Sequence, residues 1–227
     1  MDGRAAYLRA MGIEDWRVRD AASTAVSDAP TAGSATPNDW EALQAQVAAC
    51  TRCDLHRSRT QTVFGVGNRQ ADWLVIGEAP GAEEDLRGEP FVGRAGQLLD
   101  AMLAAIGLSR QTNVYIANIL KCRPPANRDP QPDEIACCEP YLAQQIALLR
   151  PRQILVVGRI AAQALLKTAV PLARLRGRVH SLGETGIPVI VTYHPAYLLR
   201  SPGDKRLAWE DLQLARRVYP AQPDGPA

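Results

Sequence analysis

Five cysteines are the residues of this sequence whose spacing most directly suggests chemistry. Cys50 and Cys53 form a C-x-x-C pair, which can place two thiolates on one metal. Cys122 follows much later in the chain, and the adjacent Cys137 and Cys138 follow it. Two close cysteines and two distant ones can converge on one tetrahedral sulfur site, which would suit either zinc or an iron–sulfur cluster. The spacing does not choose between these metals, and Cys137 and Cys138 could equally be small core residues.

A second group of reactive side chains lies in the segment from Asp72 to Gly96. The short apolar run Trp73 to Ile76 predicts a buried strand, and the glycines and proline that follow predict a loop. This loop carries a single aromatic residue, Phe91, and several carboxylates, which are Glu78, Glu83, Glu84 and Asp85. Ligands of open α/β folds bind where such loops leave the carboxyl ends of strands. The segment therefore predicts one wall of a pocket, in which Glu83 and Asp85 are expected to be solvated charges.

The elements that would position these groups alternate between strands and helices. Apolar runs predict four strands, over Trp73 to Ile76, Val114 to Ile119, Ile154 to Val157 and Pro188 to Thr192. Helical patterns separate them, for example over Asp133 to Leu149, and Thr62 to Gly67 could add a short edge strand. The alternation predicts an α/β fold, a three-layer αβα sandwich around a central, mostly parallel four-stranded sheet. We expect this domain to span residues 39–219.

Composition excludes some classes of function. A net charge of +2 rules out coating nucleic acid by bulk charge, although it permits a local basic face. No run is apolar enough to span a membrane, and the N-terminus lacks the apolar core of a signal peptide, so a cytoplasmic location is expected. In that compartment an odd number of cysteines favours a metal site over disulfides.

The N-terminal part has a different composition from the rest of the chain. Residues 1–19 form a short amphipathic unit, and residues 20–38 are small and polar, which predicts a flexible linker. The positions Gly12, Ile13, Trp16 and Arg19 resemble the N-terminal peptide by which the psi subunit of the bacterial replicative clamp loader binds its partner. Residues 4–19 are therefore a predicted docking peptide for the clamp loader, with a helix that packs on the domain as the alternative. A disordered tail is predicted over residues 220–227.

Four motifs taken together resemble the family 4 uracil-DNA glycosylases, the iron–sulfur branch of that superfamily. In chain order they are C-T-R-C, then G-E-A-P-G-A-E-E-D with P-F-V-G-R-A-G, then N-I-L-K-C-R-P-P-A-N-R-D-P-Q-P-D-E, and Y-H-P-A-Y-L-L-R. The resemblance covers roughly Trp40 to Val218. It implies a DNA-repair enzyme that flips uracil out of DNA and hydrolyses its N-glycosidic bond, leaving an abasic site. It also implies that Cys50, Cys53, Cys122 and Cys138 hold a 4Fe–4S cluster, and only the resemblance favours Cys138 over Cys137.

The resemblance further implies a role for each pocket residue. Phe91 matches the aromatic on which uracil stacks, and Asn118 matches an amide that can donate to O4 and accept from N3–H. Glu84 matches a carboxylate near C5, where bulk would exclude the methyl group of thymine. His194 matches the histidine that approaches O2 of the anionic leaving group. The alternatives are an ordinary core position for Phe91 and a capping role at a strand end for Asn118.

Water activation and DNA contacts are the remaining implied roles. Ala79 occupies the position where another branch of the superfamily has an aspartate that orients water, so Glu78, Asn127 or backbone carbonyls are the candidates for that role. Leu198 and Leu199 match the wedge that fills the gap left by a flipped base, and the prolines and glycine around them predict a loop. A core position after a strand is the alternative for both leucines. The arginines of the matched loops are predicted to face phosphates, and they are Arg123, Arg128 and Arg200.

Two other functions stay open at the level of sequence. One is a replisome subunit built on a glycosylase fold, with or without residual activity. The other is a zinc-stapled nucleic-acid-binding module. The protein is expected to be a monomer outside a clamp-loader assembly.

Overall fold

The computed structural model describes residues 40–219, whose strands form one six-stranded sheet. Numbered in chain order, the strands are β1 (Val66–Gly67), β2 (Trp73–Gly77), β3 (Val114–Asn118), β4 (Gln153–Val157), β5 (Val179–Leu182) and β6 (Ile187–Thr192). Their order across the sheet is β1-β3-β2-β4-β6-β5. The four central strands run parallel, and both edge strands are antiparallel to their neighbours. The predicted docking peptide, linker and tail lie outside the described residues.

The α/β class and the four predicted strands are confirmed, but the sheet of the described region has six strands, not four. Both additional strands are short and lie at the sheet edges. β5 is largely solvated, with Val179 about half exposed, so it carries no apolar run that would reveal it. β1 is the C-terminal end of the predicted edge strand Thr62 to Gly67.

Helices cover both faces of the sheet. Those described are α1 (Trp40–Ala48), α2 (Ala82–Arg87), α3 (Arg94–Ala104), α4 (Pro132–Leu149), α5 (Arg159–Leu165), α6 (Leu172–Leu175), α7 (Pro195–Arg200) and α8 (Lys205–Val218). None of these has the length and apolarity needed to cross a membrane.

Alternating strand residues divide the core into two layers because successive side chains of a strand point to opposite faces. Leu74 and Ile76 of β2 pack on the side of α1 and α4, in one buried cluster with Leu43 and Leu142. Val75 packs on the opposite side, in the cluster that contains the buried residues of α3 and α8. This arrangement confirms the predicted three-layer sandwich.

The parallel pairing brings the carboxyl ends of the central strands to one edge of the sheet. Gly77 of β2 lies beside Asn118 of β3, and Val157 of β4 lies beside Thr192 of β6. The loops that leave these strands therefore start side by side. They carry most of the polar residues that the sequence singles out.

Candidate active site

A cavity of about 480 Å³ opens at this carboxyl edge of the sheet. Its size falls within the range of small-molecule sites, roughly 300–1,000 Å³. The predicted site residues that line it are Glu78, Ala79, Glu84, Phe91, Asn118, Asn127, Arg128, His194 and Arg200. Three predicted DNA-contacting residues, Arg123, Leu198 and Leu199, are not part of the lining. Tyr197, which sequence reasoning missed, also lines the cavity.

Phe91 and His194 form one wall of the cavity. Their rings are stacked with centroids 5.6 Å apart and planes 29° apart. Phe91 is buried, and its backbone has a φ of 57°, which non-glycine residues rarely adopt. Such backbone strain is often found where a side chain must be held for function.

Gly77 allows the cavity floor to form. A Cβ added to this glycine would lie 2.4 Å from Oδ1 of Asn118 and 2.6 Å from Cζ of Phe91. Both distances are shorter than any ordinary contact, so only a residue without a side chain lets the aromatic ring and the amide meet at the end of β2.

Asn118 ends β3 with its side chain in the cavity and is only 2% exposed. Its Oδ1 has no hydrogen-bond partner among the described residues. Leaving a buried acceptor unpaired costs about 1–3 kcal/mol, so such atoms in native proteins call for an explanation. A ligand with an N–H donor would satisfy this oxygen. If Asn118 instead only capped the end of the strand, its Oδ1 would need a hydrogen-bond partner within the protein.

The geometry of His194 determines which ring nitrogen carries the proton. His194 is the N-cap of α7, and its Nδ1 accepts a hydrogen bond from the backbone N–H of Ala196 at 3.1 Å. Burial lowers the pKa of His194 to about 4, and the charge of Arg200 adds to the decrease while Glu84 opposes it. The ring is therefore neutral at pH 7 and carries its proton on Nε2, which makes it a donor.

Glu84 braces the loop instead of presenting free oxygens to the cavity. One carboxylate oxygen accepts from the N–H of Gly81 at 3.1 Å. The other accepts from Val92 at 3.1 Å and from Gly93 at 3.4 Å. Glu84 thus joins the start of α2 to the segment that carries Phe91. Asp85 is not solvated as predicted, because it is 2% exposed and accepts the N–H of Thr60 at 3.0 Å.

The two candidates for water activation differ in their surroundings. Burial raises the pKa of Glu78 to about 7, and the charge of Asp129 adds to the increase while Arg159 opposes it. Asn127 adopts a left-handed backbone with a φ of 53°, and its Oδ1 accepts from Nε of Arg123 at 2.8 Å. Glu78 therefore has the pKa expected of a general base at neutral pH.

Arg128 is engaged by a protein carboxylate. Its guanidinium donates to both oxygens of the buried Glu134, at 2.9 and 2.5 Å, and also to the carbonyl of Asp129. This bidentate pair closes the loop after β3 onto the first turn of α4. Arg200 is exposed at the rim of the cavity.

The predicted wedge loop is wrong, because both leucines lie in the helix α7. Pro195 occupies the first turn of this helix, where its missing N–H is not needed, so the proline starts the helix. Leu198 is 1% exposed and packs in the core with Met102 and Leu212. It is therefore a core residue, as the alternative for it stated. Leu199 is partly exposed, and its predicted contact with DNA stays a prediction.

The predicted cysteine ligands lie around one region of the core. Cys122 and Cys138 are buried, and Cys50 and Cys53 pack against the same cluster. Arg59 donates to Sγ of Cys122 at 3.0 Å and to the carbonyl of Cys50 at 2.8 Å.

The structure also separates the two adjacent cysteines. Sγ of Cys138 accepts the N–H of Lys121 at 3.4 Å, whereas Sγ of Cys137 lies 3.3 Å from the carbonyl of Arg52. Burial raises the pKa of Cys138 to about 11. Within the described residues, no three His, Cys, Asp or Glu side chains meet closely enough to hold a single metal ion.

Lys121 is a further residue that sequence reasoning missed. It is 1% exposed, and its Nζ donates to the carbonyl of Asn118 at 2.9 Å and to Oε1 of Gln145 at 2.6 Å. The amide of Gln145 in turn donates to the carbonyl of Phe64. A lysine within the apolar run I-A-N-I-L-K-C is the sequence signal that could have revealed this buried link.

Comparison with known proteins identifies what this chain is similar to. A family model described as the uracil DNA glycosylase superfamily matches residues 64–213. The type-4 uracil-DNA glycosylase of Archaeoglobus fulgidus is 47% identical over 163 residues, which are 69% of this chain and 81% of the relative. Those of Pyrobaculum aerophilum and Thermotoga maritima are 41% and 42% identical over 182 and 180 residues, each alignment covering 78% of this chain and 92% of the relative.

Proposed function

The chain belongs to the uracil-DNA glycosylase superfamily, and from that premise we propose that it is a DNA-repair hydrolase that excises uracil from DNA. The observation that carries the proposal is Oδ1 of Asn118, which lies buried in a cavity beside the ring of Phe91 and has no hydrogen-bond partner within residues 40–219. Uracil presents a flat ring with an N–H next to a carbonyl, which this pair of side chains complements.

Base selection follows from the amide of Asn118. Its Oδ1 accepts from N3–H of uracil, and its Nδ2 donates to O4. Cytosine presents an acceptor at N3 and a donor at C4, so the same amide orientation would oppose it at both positions. Phe91 provides the surface on which the flipped base stacks. Glu84 holds the Phe91 segment in place through the backbone amides of Val92 and Gly93.

Cleavage of the glycosidic bond leaves negative charge on uracil and positive charge on the sugar. His194 donates from Nε2 to O2 and stabilises the anion, because its Nδ1 is occupied by the N–H of Ala196. One such donor typically contributes a factor of about 10²–10³ to the rate. The neutral ring does this without an additional charge in the cavity.

Glu78 is the residue we assign to water activation. Its raised pKa leaves a large ionised fraction at neutral pH, and the carboxylate can accept a proton from water. The small side chain of Ala79 leaves room beside it. Asn127 lines the same cavity and would orient the water, with its own Oδ1 held by Arg123.

Cys50, Cys53, Cys122 and Cys138 would hold a 4Fe–4S cluster. All four cysteines belong to or pack against one buried cluster, and four cysteine thiolates are the usual ligands of a 4Fe–4S cluster. When bound, the cluster would crosslink the segment after α1, the end of β3 and α4. Arg59, which donates to Sγ of Cys122, would lower the negative charge on the sulfur.

The DNA contacts and cellular context are further proposals. Arg200 at the cavity rim would contact phosphates, and Leu199 is the exposed candidate for the wedge. Arg123 and Arg128 would act mainly by shaping the loop after β3, since each already has a protein acceptor. Docking of residues 4–19 to a clamp loader, a monomeric state and a cytoplasmic location stay predictions of the sequence. No contact among the described residues favours the replisome-subunit alternative.

An excision assay on a uracil-containing oligonucleotide tests the proposal. We expect the iron-loaded protein to release free uracil and to leave matched cytosine and thymine oligonucleotides intact. Asn118→Ala should lower the rate at least about 100-fold, the typical loss for one critical hydrogen-bonding group. Asn68→Ala, at a partly exposed asparagine that is bonded to Thr112 and does not line the cavity, is the matched control and should retain full activity. A folded, iron-loaded protein that releases no uracil would overturn the proposed function.

A further inference from the structure

The strained backbone of Phe91 raises the question of what holds it. A left-handed conformation costs an ordinary residue about 1–2 kcal/mol relative to its preferred backbone. Helix α3 passes directly beneath the Phe91 carbonyl, because a Cβ added to Gly96 would lie 1.8 Å from that oxygen. The glycine therefore makes room for the strained turn, but it contributes no bond that would hold the turn in place.

Arg110 supplies that bond. Its Nη2 donates to the carbonyl of Phe91 at 3.1 Å, and its Nη1 lies 3.4 Å from the carbonyl of Pro90. One guanidinium thus contacts two consecutive carbonyls of the turn. A planar fork of donors is suited to such a pair of acceptors, whereas a lysine ammonium would not reproduce the geometry.

The guanidinium is itself held in position. Its Nε donates to Oδ1 of Asp100 at 2.8 Å, and Nη2 lies 2.7 Å from the same oxygen. The side chain of Arg110 is 13% exposed, so solvent screens this ion pair only in part. Asp100 belongs to α3, which makes the helix the base on which the turn is fixed.

We propose that Arg110 is a positioning residue that holds the Phe91 ring in its stacking position by binding the Phe91 carbonyl from outside the cavity. The ring contacts Gly77 and His194 on the cavity side, and the carbonyl contacts Arg110 on the other. Rotation about the strained backbone would move both ends together. The effect of Arg110 on uracil binding rests on the proposed function, whereas its effect on the position of the Phe91 ring does not.

Phenylalanine NMR tests ring position without any assay of activity. The chain contains only two phenylalanines, Phe64 and Phe91, so ring-labelled protein gives two sets of signals. Phe91→Leu assigns them. Arg110→Met should shift and broaden the Phe91 signal and leave the Phe64 signal in place. Arg152→Met is the matched control, since Arg152 is an exposed arginine that precedes β4 at the opposite end of the sheet.

A double-mutant cycle on excision tests the consequence. Arg110→Met should lower kcat/KM about tenfold and weaken inhibition by free uracil, and Arg110→Lys should recover only part of this. In a Phe91→Ala background the same change should alter kcat/KM less than twofold, because Arg110 acts through the ring. If Arg110 only stabilised the fold, Arg110→Met would lower the melting temperature equally in both backgrounds, and its effect on kcat/KM would not disappear in the Phe91→Ala background.

The outcomes separate the two proposals. A Phe91 signal that Arg110→Met leaves unchanged overturns the positioning role, whatever the enzyme does. A wild-type protein that is inactive on uracil overturns the proposed function while a shifted Phe91 signal still supports the role of Arg110. Equal losses of kcat/KM in both backgrounds would mean that Arg110 acts on the reaction by another route.

Discussion

Gly77→Ala is the substitution that tests the floor of the cavity most directly. Gly77 is the last residue of β2, and its missing side chain leaves space that Asn118 and Phe91 both occupy. An alanine Cβ would lie 2.4 Å from the amide oxygen of Asn118 and 2.6 Å from the Phe91 ring. Both neighbours are side chains, so they can retreat, but the strand is buried and paired on both sides and cannot.

The size of the effect follows from these distances. Ordinary carbon contacts begin near 3.4 Å, so the ring must move by roughly 0.8 Å, and the amide must move by a similar amount. A misplacement of about 1 Å in a catalytic site can cost about 100-fold in rate. We therefore expect kcat/KM for uracil excision to fall about 100-fold. Overpacking should also lower the free energy of unfolding by about 1–3 kcal/mol.

Single-turnover excision and chemical denaturation measure the two effects separately. Gly203→Ala is the matched control, because a Cβ at Gly203 would meet nothing within 4 Å. It should leave both the rate and the stability unchanged. Combining Gly77→Ala with Phe91→Ala removes the clash with the ring. The double variant should therefore be at most a few-fold slower than the Gly77→Ala variant alone.

Two results would refute this reasoning. The first is a folded Gly77→Ala protein with the wild-type excision rate, which would mean that Asn118 and Phe91 need not meet at the end of β2. The second is an equal loss of rate in Gly203→Ala, which would show that the assay responds to any added methyl group.

Three further predictions test the site and its support. Burial raises the pKa of Glu78 from 4.5 to about 7, so the folded protein binds this proton more tightly than the unfolded chain does. Ionisation of Glu78 therefore lowers the stability of the folded protein as the pH rises between those two values. The excision rate should therefore increase with pH around 7. Glu78→Gln should abolish this increase and should stabilise the folded protein at pH 8. A pH profile that Glu78→Gln leaves unchanged would contradict the assignment. Cys138→Ala should lose iron and visible absorbance, whereas Cys137→Ala should keep both, as measured by iron analysis; retention of iron by both variants would exclude Cys138 as a ligand. Asp211→Asn removes the charge that faces the buried Arg176 at 2.7 Å. We expect the free energy of unfolding, measured by denaturant titration, to fall by about 3 kcal/mol. A change below about 0.5 kcal/mol would indicate that solvent already screens the pair.

Much of the fold could be predicted because its signals are local. Four apolar runs correspond to the central strands, since a parallel sheet covered on both faces buries nearly every strand residue, and only the first two residues of β6 are partly exposed. The same rule predicts where the strands end. It therefore predicts that the loops carrying Glu78, Asn118 and His194 meet at one edge, as they do in the cavity.

The edge strand β5 and the start of α7 could not be predicted in the same way. β5 is mostly solvated and owes its extended shape to antiparallel pairing with the next strand, β6, since its own residues form no apolar run. Pro195 is compatible with either a loop or a first helical turn. The N-cap bond from Ala196 to His194 and the packing of Leu198 in the core decide for the helix.

The sequence by itself determined the kinds of residue that meet at the carboxyl edge, because local apolar patterns show where each central strand ends and which residues follow it. Only the tertiary structure decided which of these residues remain available to a ligand. Glu84 and Arg128 are engaged by backbone amides and by Glu134, whereas Oδ1 of Asn118 has no partner in the described region. The bonds of Glu84 and Arg128 join residues only three to nine positions apart, but they depend on loop and helix-start geometry that the apolar pattern of the sequence does not show.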